Sequence, residues 1–128
     1  MFKRPVVYVQ IRPGMAVAKR MDTSEQATAT SVALSHPRTL MGDFTQVEAC
    51  LKEVFETLGV RSWRSRAAIA LIHLVPKADG GYTNVELRAF REAALGAGAA
   101  QAYLLADHPP LTSDQENEIK SFFGKGFR

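Results

Sequence analysis

The order of its apolar segments predicts that this 128-residue chain has an α/β fold, with a five-stranded mixed sheet flanked by helices. Short segments rich in β-branched residues and joined by turns fill its first third. Apolar runs of strand length then alternate with helix-period patterns. Hydrophobic residues make up 46% of the chain and charged residues 23%, which is typical of one globular domain with one core, here residues 1–128.

Three strands are predicted before the first helix. Residues 6–11 are rich in β-branched and aromatic side chains, and an Arg-Pro-Gly turn ends this strand because Pro fixes φ and Gly permits a reversal. Residues 15–21 alternate between two faces, so we expect a second strand and a hairpin. A third strand is expected over residues 27–35, where a His-Pro pair ends it.

The clearest helix follows, with Asp43 as its predicted N-cap. Its apolar face at helical spacing comprises Phe44, Val47, Leu51, Val54, Phe55 and Leu58. Gly59 is placed to end the helix in a left-handed conformation. Residues 67–75 are nearly all apolar, which predicts a strand that is covered on both faces.

Asn84 is expected to cap a second helix. The apolar face of this helix comprises Leu87, Phe90 and Ala94. Gly96 and Gly98 are expected to end it, and residues 102–106 form another short apolar strand.

Ser113 and Glu116 match a capping box that opens the last helix, and Gly124 is expected to stop it. Its apolar stripe comprises Ile119, Phe122 and Phe123. The resulting order, βββαβαβα, combines an antiparallel trio with crossover connections, which requires a mixed sheet with helices on its faces. This order is typical of the ribonuclease H-like fold, of which an actin subdomain is one version.

Composition argues against several classes of protein. A net charge of +3 is too small by itself to indicate a nucleic-acid partner, whose binding surface needs clustered Lys and Arg, so we expect none. The single cysteine, Cys50, excludes an internal disulfide and a Cys-based zinc site. No apolar run approaches the roughly 20 residues that span a bilayer, so we expect a cytoplasmic protein.

One segment resembles a known family. Residues 84–107, NVELRAFREAALGAGAAQAYLLAD, closely resemble a segment of the bacterial actin family MreB, in which "VE-R-A-REAALGAGA" is followed by "YLIEEP". The family's "DF" before its first helix matches Asp43 and Phe44, and its "VVICVP" strand is similar to residues 69–76. The resemblance covers only the N-terminal portion of the family and implies an actin-like subdomain.

The nucleotide-binding positions depart from the family pattern. Actin-like ATPases carry D-x-G-T after the first strand, where the Asp helps to hold the metal and the Gly and Thr approach phosphate oxygens. The matching positions here are Gln10, Arg12 and Pro13. The first Glu of "EEP" positions the attacking water in the family, and its match is Ala106, with the acid Asp107 beside it.

The resemblance therefore implies a degenerate ATPase with no catalytic residue, no metal and no cofactor. The family's second phosphate loop and its adenosine pocket belong to the other half of its fold, to which no part of this sequence corresponds. Because half a cleft buries too little of a nucleotide, we expect nucleotide binding to be lost as well.

A basic loop holds the only tryptophan. In the MreB family the loop after this first helix carries apolar residues that insert into the membrane surface. Here the loop reads GVRSWRSR, with Trp63 among Arg61, Arg64 and Arg66. Indole prefers the headgroup level and arginine is attracted to anionic lipid, so this loop is a candidate membrane or partner contact. Alternatively, Trp63 folds back on the core and the arginines are merely solvated.

The enzyme alternative is a ribonuclease H-like nuclease, which needs carboxylates that converge on the central strands to hold two metals. Its first acid falls near Gln10, which is not acidic, and only Asp43, Asp79 and Asp107 are placed to approach one end of the sheet. His73 lies inside the predicted apolar strand, and we expect its side chain to be hydrogen-bonded to a neighbouring residue.

The sequence thus predicts a non-catalytic structural or regulatory module that acts by protein contact in a cell-shape or membrane-associated assembly. Its expected partner is a protein, with an actin-like filament as the candidate, and peripheral contact to the inner face of the membrane is expected as well. An exposed sheet edge would also favour a homodimer.

Overall fold

A computed structural model describes residues 4–35, 41–60, 67–76, 78 and 80–126. The elements within these residues are β1 (Val6–Arg12), β2 (Met15–Arg20), β3 (Gln26–Thr30), a short 3₁₀ helix (Val32–Leu34), α1 (Phe44–Thr57), β4 (Ile69–Leu74), α2 (Asn84–Gly96), β5 (Gln101–Ala106) and α3 (Ser113–Gly126). The predicted α/β fold with a five-stranded mixed sheet and flanking helices is confirmed.

The strand order of the sheet is β3-β2-β1-β4-β5. The pairs β1–β2 and β2–β3 are antiparallel, whereas β1–β4 and β4–β5 are parallel. In this register Gln10 lies between Val17 on one side and His73 on the other. The three parallel strands consequently end at the same edge of the sheet.

Helices α1 and α2 cover one face of the sheet. Four alanines on that face of β2 and β3 are buried, and their small side chains let α1 approach the sheet closely: Ala16, Ala18, Ala27 and Ala29. The helices contribute larger side chains to the same core, among them Val47, Leu51, Val54, Phe55 and Phe90. Burial of this apolar area is the main favourable term for the fold.

The opposite face has a smaller core. Val6, Tyr8, Met21 and Ile69 are buried there, and Leu111 and Ile119 pack against them from the segment that contains α3. Lys19 on β2 forms an ion pair with Glu116 of α3, with 2.8 Å between Nζ and Oε1. α3 therefore lies on this second face.

The third strand is shorter than predicted. It ends at Thr30, and Ser31 caps the 3₁₀ helix because its Oγ accepts the N–H of Ala33 at 3.2 Å. Two glycine N–H groups, from Gly14 and Gly42, donate to carbonyls of this helix. The third strand itself is confirmed, but its predicted extension over residues 31–35 was wrong because these hydrogen bonds outweigh the β propensity of the segment.

The first helix begins and ends as predicted. Asp43 accepts the N–H of Gln46 at 3.0 Å, and Gly59 follows the helix with φ of +72°. Leu58 and the other apolar positions of the face are buried, except Phe44, which is 41% exposed. Phe44 is the first residue of the helix.

The other two helix starts are each displaced by one residue from their predictions. Thr83, not Asn84, caps α2 and forms a capping box with Glu86. At α3, Thr112 and Gln115 exchange hydrogen bonds of 2.9 and 3.2 Å, whereas the prediction was Ser113 with Glu116. The prediction that Gly124 ends α3 was also wrong, because the helix continues to Gly126. No helix among the described residues is long and apolar enough to cross a membrane.

Candidate functional site at the carboxyl ends of the parallel strands

The edge at which β1, β4 and β5 end is the natural place for a site. Open α/β sheets bind their ligands outside the carboxyl ends of the parallel strands. Gln10, Arg12 and Pro13 lie at the end of β1, and Ala106 is the last residue of β5. The fold thus brings all four predicted degenerate positions to one edge, with β4 between the two strands that carry them.

Gln10 and Arg12 bind each other on the same side of β1. The Arg12 guanidinium donates two hydrogen bonds to Gln10 Oε1, from Nε at 3.0 Å and from Nη2 at 2.7 Å. This contact places a fixed positive charge at the position for which the sequence resemblance predicts a degenerate metal-binding carboxylate. A guanidinium repels a divalent cation, and an amide oxygen carries no charge to compensate for it.

The turn after β1 directs its backbone groups inward. Pro13 has no N–H to offer. The N–H of Gly14 donates to Leu34 O at 3.1 Å, and its carbonyl accepts from Ser31 N–H at 3.0 Å. Gly14 has φ of +78°, and a Cβ there would approach Ser35 Oγ to 3.0 Å. The turn therefore packs on the 3₁₀ helix, whereas a phosphate loop aims its N–H groups outward.

The end of β5 has little polar chemistry. Ala106 has no side-chain polar group, and Asp107 beside it is exposed with φ of +56°. Aspartate is one of the few residue types that tolerate this left-handed backbone, which turns the chain away from the sheet. Asp107 is thus accounted for as the residue that ends the strand.

A buried network next to this edge was only partly expected from the sequence. Tyr8 Oη lies 2.6 Å from His73 Nδ1, and His73 Nε2 lies 2.8 Å from the carbonyl oxygen of His108. The N–H of Leu111 donates to Tyr8 Oη at 3.3 Å. Because a carbonyl only accepts, His73 Nε2 carries the proton and Nδ1 accepts the Tyr8 hydroxyl. The prediction that His73 is bonded to a neighbour is confirmed.

The electrostatics of this network favour its neutral form. Burial lowers the pKa of His73, and the charges of His108 and Arg12 lower it further, although the His108 carbonyl opposes them. Burial also raises the pKa of Tyr8. The network joins β1 and β4 to the chain that leads into α3, and its completed hydrogen bonds fit a structural tether. A signal for it was present in the sequence, namely a histidine inside an otherwise apolar strand.

Two other residues considered as candidates, Cys50 and Asp43, have structural roles on or next to α1. Cys50 is buried on α1, and burial raises the pKa of its thiol to about 11, which disfavours the nucleophilic thiolate. Asp43 is engaged as the cap of α1. Among the residues that the structure describes, no group of three or more His, Cys, Asp and Glu is arranged to hold a metal ion.

Part of the prediction falls on residues outside the described ranges. These are Asp79, proposed for the nuclease alternative, and the basic loop with Arg61, Trp63, Arg64 and Arg66. The membrane contact therefore stays a prediction.

A comparison with protein-family models finds no match, and a comparison with curated proteins finds none either. The MreB resemblance accordingly stays a prediction from the sequence, and the argument for a function starts from the geometry of this edge.

Proposed function

We propose that the protein is a non-catalytic, actin-like module of the ribonuclease H-like type, with a structural or regulatory role exercised through protein contact in a cell-shape or membrane-associated assembly. Three observations support this. The strand order and the three helices are compatible with such a subdomain. The segment at residues 84–107 resembles the MreB family. The turn after β1, finally, uses its hydrogen-bonding groups inside the protein.

The turn after β1 is the observation that carries the proposal. Binding of a metal–nucleotide complex at this edge requires a carboxylate near the metal and N–H groups that point at the phosphates. Here Gln10 accepts the Arg12 guanidinium, Pro13 lacks a donor, and the N–H of Gly14 is bonded to Leu34. To bind phosphate there, the turn would have to give up its contacts with the 3₁₀ helix. A role in contact and packing agrees better with this arrangement than turnover does.

Calorimetric titration with Mg-ATP tests the loss of nucleotide chemistry. We expect no saturable binding tighter than a Kd of about 1 mM, because the carboxylate and the outward N–H groups are missing. The matched variant Arg12→Ala removes the guanidinium and leaves the absence of a carboxylate unchanged. It should likewise show no magnesium-dependent binding. Magnesium-dependent binding of ATP with a Kd of about 10 μM or lower would refute the proposal.

Co-sedimentation with anionic vesicles tests the membrane-associated part of the proposal. We expect the pelleted fraction to fall on Trp63→Ala and at high salt, because indole prefers the interface and each arginine near anionic lipid contributes about 1 kcal/mol. Tyr103→Ala is the control, since it removes another aromatic ring, one that is 43% exposed on β5. If Trp63→Ala and Tyr103→Ala pellet like the unchanged protein, Trp63 has no part in the contact.

A further inference from the structure

A groove runs along one margin of the molecule, between α2 and β5. Its volume is about 670 Å³. Leu87 and Leu95 of α2 and Leu104 of β5 provide half-buried apolar surface, and Arg88, Arg91 and Glu92 provide exposed charge. We call this feature the α2–β5 groove. None of its lining residues belongs to the turn after β1, so its chemistry is independent of that turn.

The groove borders a strand that ends the sheet. β5 pairs with β4 on one side, and in the described part of the chain no strand pairs with its other side. Ala100 donates its N–H toward β4, to Ala68 O at 2.8 Å. Because backbone direction alternates along a strand, the backbone groups of Gln101 and Leu105 point away from β4. A groove beside such an edge fits a chain in extended conformation, which binds to sheet edges in many complexes.

The charge of the groove determines which extended chains it can bind. Arg88 and Arg91 are exposed on neighbouring turns of α2, and neither guanidinium takes part in the ion pairs found among the described residues. An arginine fork matches a carboxylate in a two-pronged hydrogen bond. Glu92 adds one negative charge, so the three charged side chains together carry a net positive charge. The complementary ligand is acidic.

We propose that the α2–β5 groove binds an extended acidic segment of a partner protein, with apolar side chains against Leu87, Leu95 and Leu104 and carboxylates on Arg88 and Arg91. The inference rests on the proposed function in one respect, namely that the protein acts through protein contact. It adds the surface and the chemistry of the partner. Every second residue of an extended chain faces the same side, so the residues of the segment that face α2 should include both acidic and apolar side chains.

Selection from a random library of seven-residue peptides displayed on phage, with the full chain as the target, tests this inference. We expect enriched peptides to carry Asp or Glu two positions away from an apolar residue, because such residues face the same side of an extended chain. The most enriched peptide, made synthetically, should bind less tightly at higher salt because the contact is electrostatic. Arg91→Glu should weaken its binding by at least about tenfold, since the reversed charge faces a carboxylate.

Lys52→Glu is the matched control, because it makes the same change of charge on α1, which contributes no residue to the lining of the groove. It should alter the affinity by less than about twofold. Circular dichroism of both variants shows whether each is folded. The inference is overturned if the selection enriches no acidic peptides, or if folded Arg91→Glu and Lys52→Glu weaken binding equally. Such a failure leaves the proposed function standing, whereas tight Mg-ATP binding would remove the proposed function and leave the groove untouched.

Discussion

Replacing Phe55 by Ala is expected to lower the free energy of unfolding by about 3–5 kcal/mol, the usual cost of removing a buried aromatic ring. Phe55 is 1% exposed and belongs to the core between the helices and the sheet. Its loss removes apolar contact from that core and leaves a cavity that a close-packed interior fills only in part. Urea denaturation followed by circular dichroism measures the difference.

Phe44→Ala provides the matched control on the same helix. Phe44 opens α1 and is 41% exposed, so its truncation should cost less than about 1 kcal/mol. Both positions belong to the apolar face that the sequence predicts for α1, and only the structure separates them. Equal losses for the two variants would show that α1 is rotated or shifted relative to the arrangement described above.

The second large effect that we expect is a dependence of the free energy of unfolding on pH. Burial lowers the pKa of His73 below its ordinary value of 6.5, so the folded protein favours the neutral imidazole. Below pH 6.5 the unfolded chain binds a proton that the folded chain does not, and the free energy of unfolding must fall as the pH falls. This contribution is fully present above about pH 7 and decreases toward pH 5, with a slope of at most about 1.4 kcal/mol per pH unit.

Urea denaturation at several pH values between about 5 and 8 checks this prediction. His73→Gln keeps a side chain that can both accept from Tyr8 and donate to the His108 carbonyl, but it does not titrate in this range. This variant should lose most of the slope. His108→Gln should keep most of it, because the buried imidazole of His73 remains. An unchanged slope in His73→Gln would assign the pH dependence to another group.

The sequence predicted secondary structure correctly wherever one physical signal dominated. The helical period of α1 and the capping carboxylate of Asp43 agree with each other, and the helix begins and ends where they indicate. The apolar run that contains β4 is too short for a buried helix and lacks polar alternation, so a doubly covered strand was the remaining choice. Such agreement between local signals is what makes a segment predictable.

Predictions failed where neighbouring residues offered equivalent chemistry. Thr83 and Asn84 are both competent caps, as are Thr112 and Ser113, and periodicity does not locate a helix start to one residue. The choice depends on which residue has extended backbone angles and a side chain within reach of an N–H group. Ser31 shows the same limit, because a strand and a 3₁₀ helix compete there and distant glycines decide the outcome.

The candidate site was also only partly predictable from the sequence. The contact between Gln10 and Arg12 follows from their spacing, since residues two apart on a strand share a face. The tether between Tyr8 and His73 depends on the register between β1 and β4, which lie far apart along the chain. Long-range register is set by the packing of the whole sheet. A histidine in an apolar strand therefore signals that a partner exists and leaves its identity open.

The position of β1 at the centre of the sheet also has a consequence for how the protein is made. One side of β1 pairs with β2, its neighbour along the chain, and the other pairs with β4, so that Val6 lies opposite Ile69. Because β1 and β2 are adjacent along the chain, we expect the hairpin to form during synthesis before β4 is available for pairing. Until β4 emerges, the nascent chain would present an apolar strand with one open edge, and such an edge favours pairing with other chains.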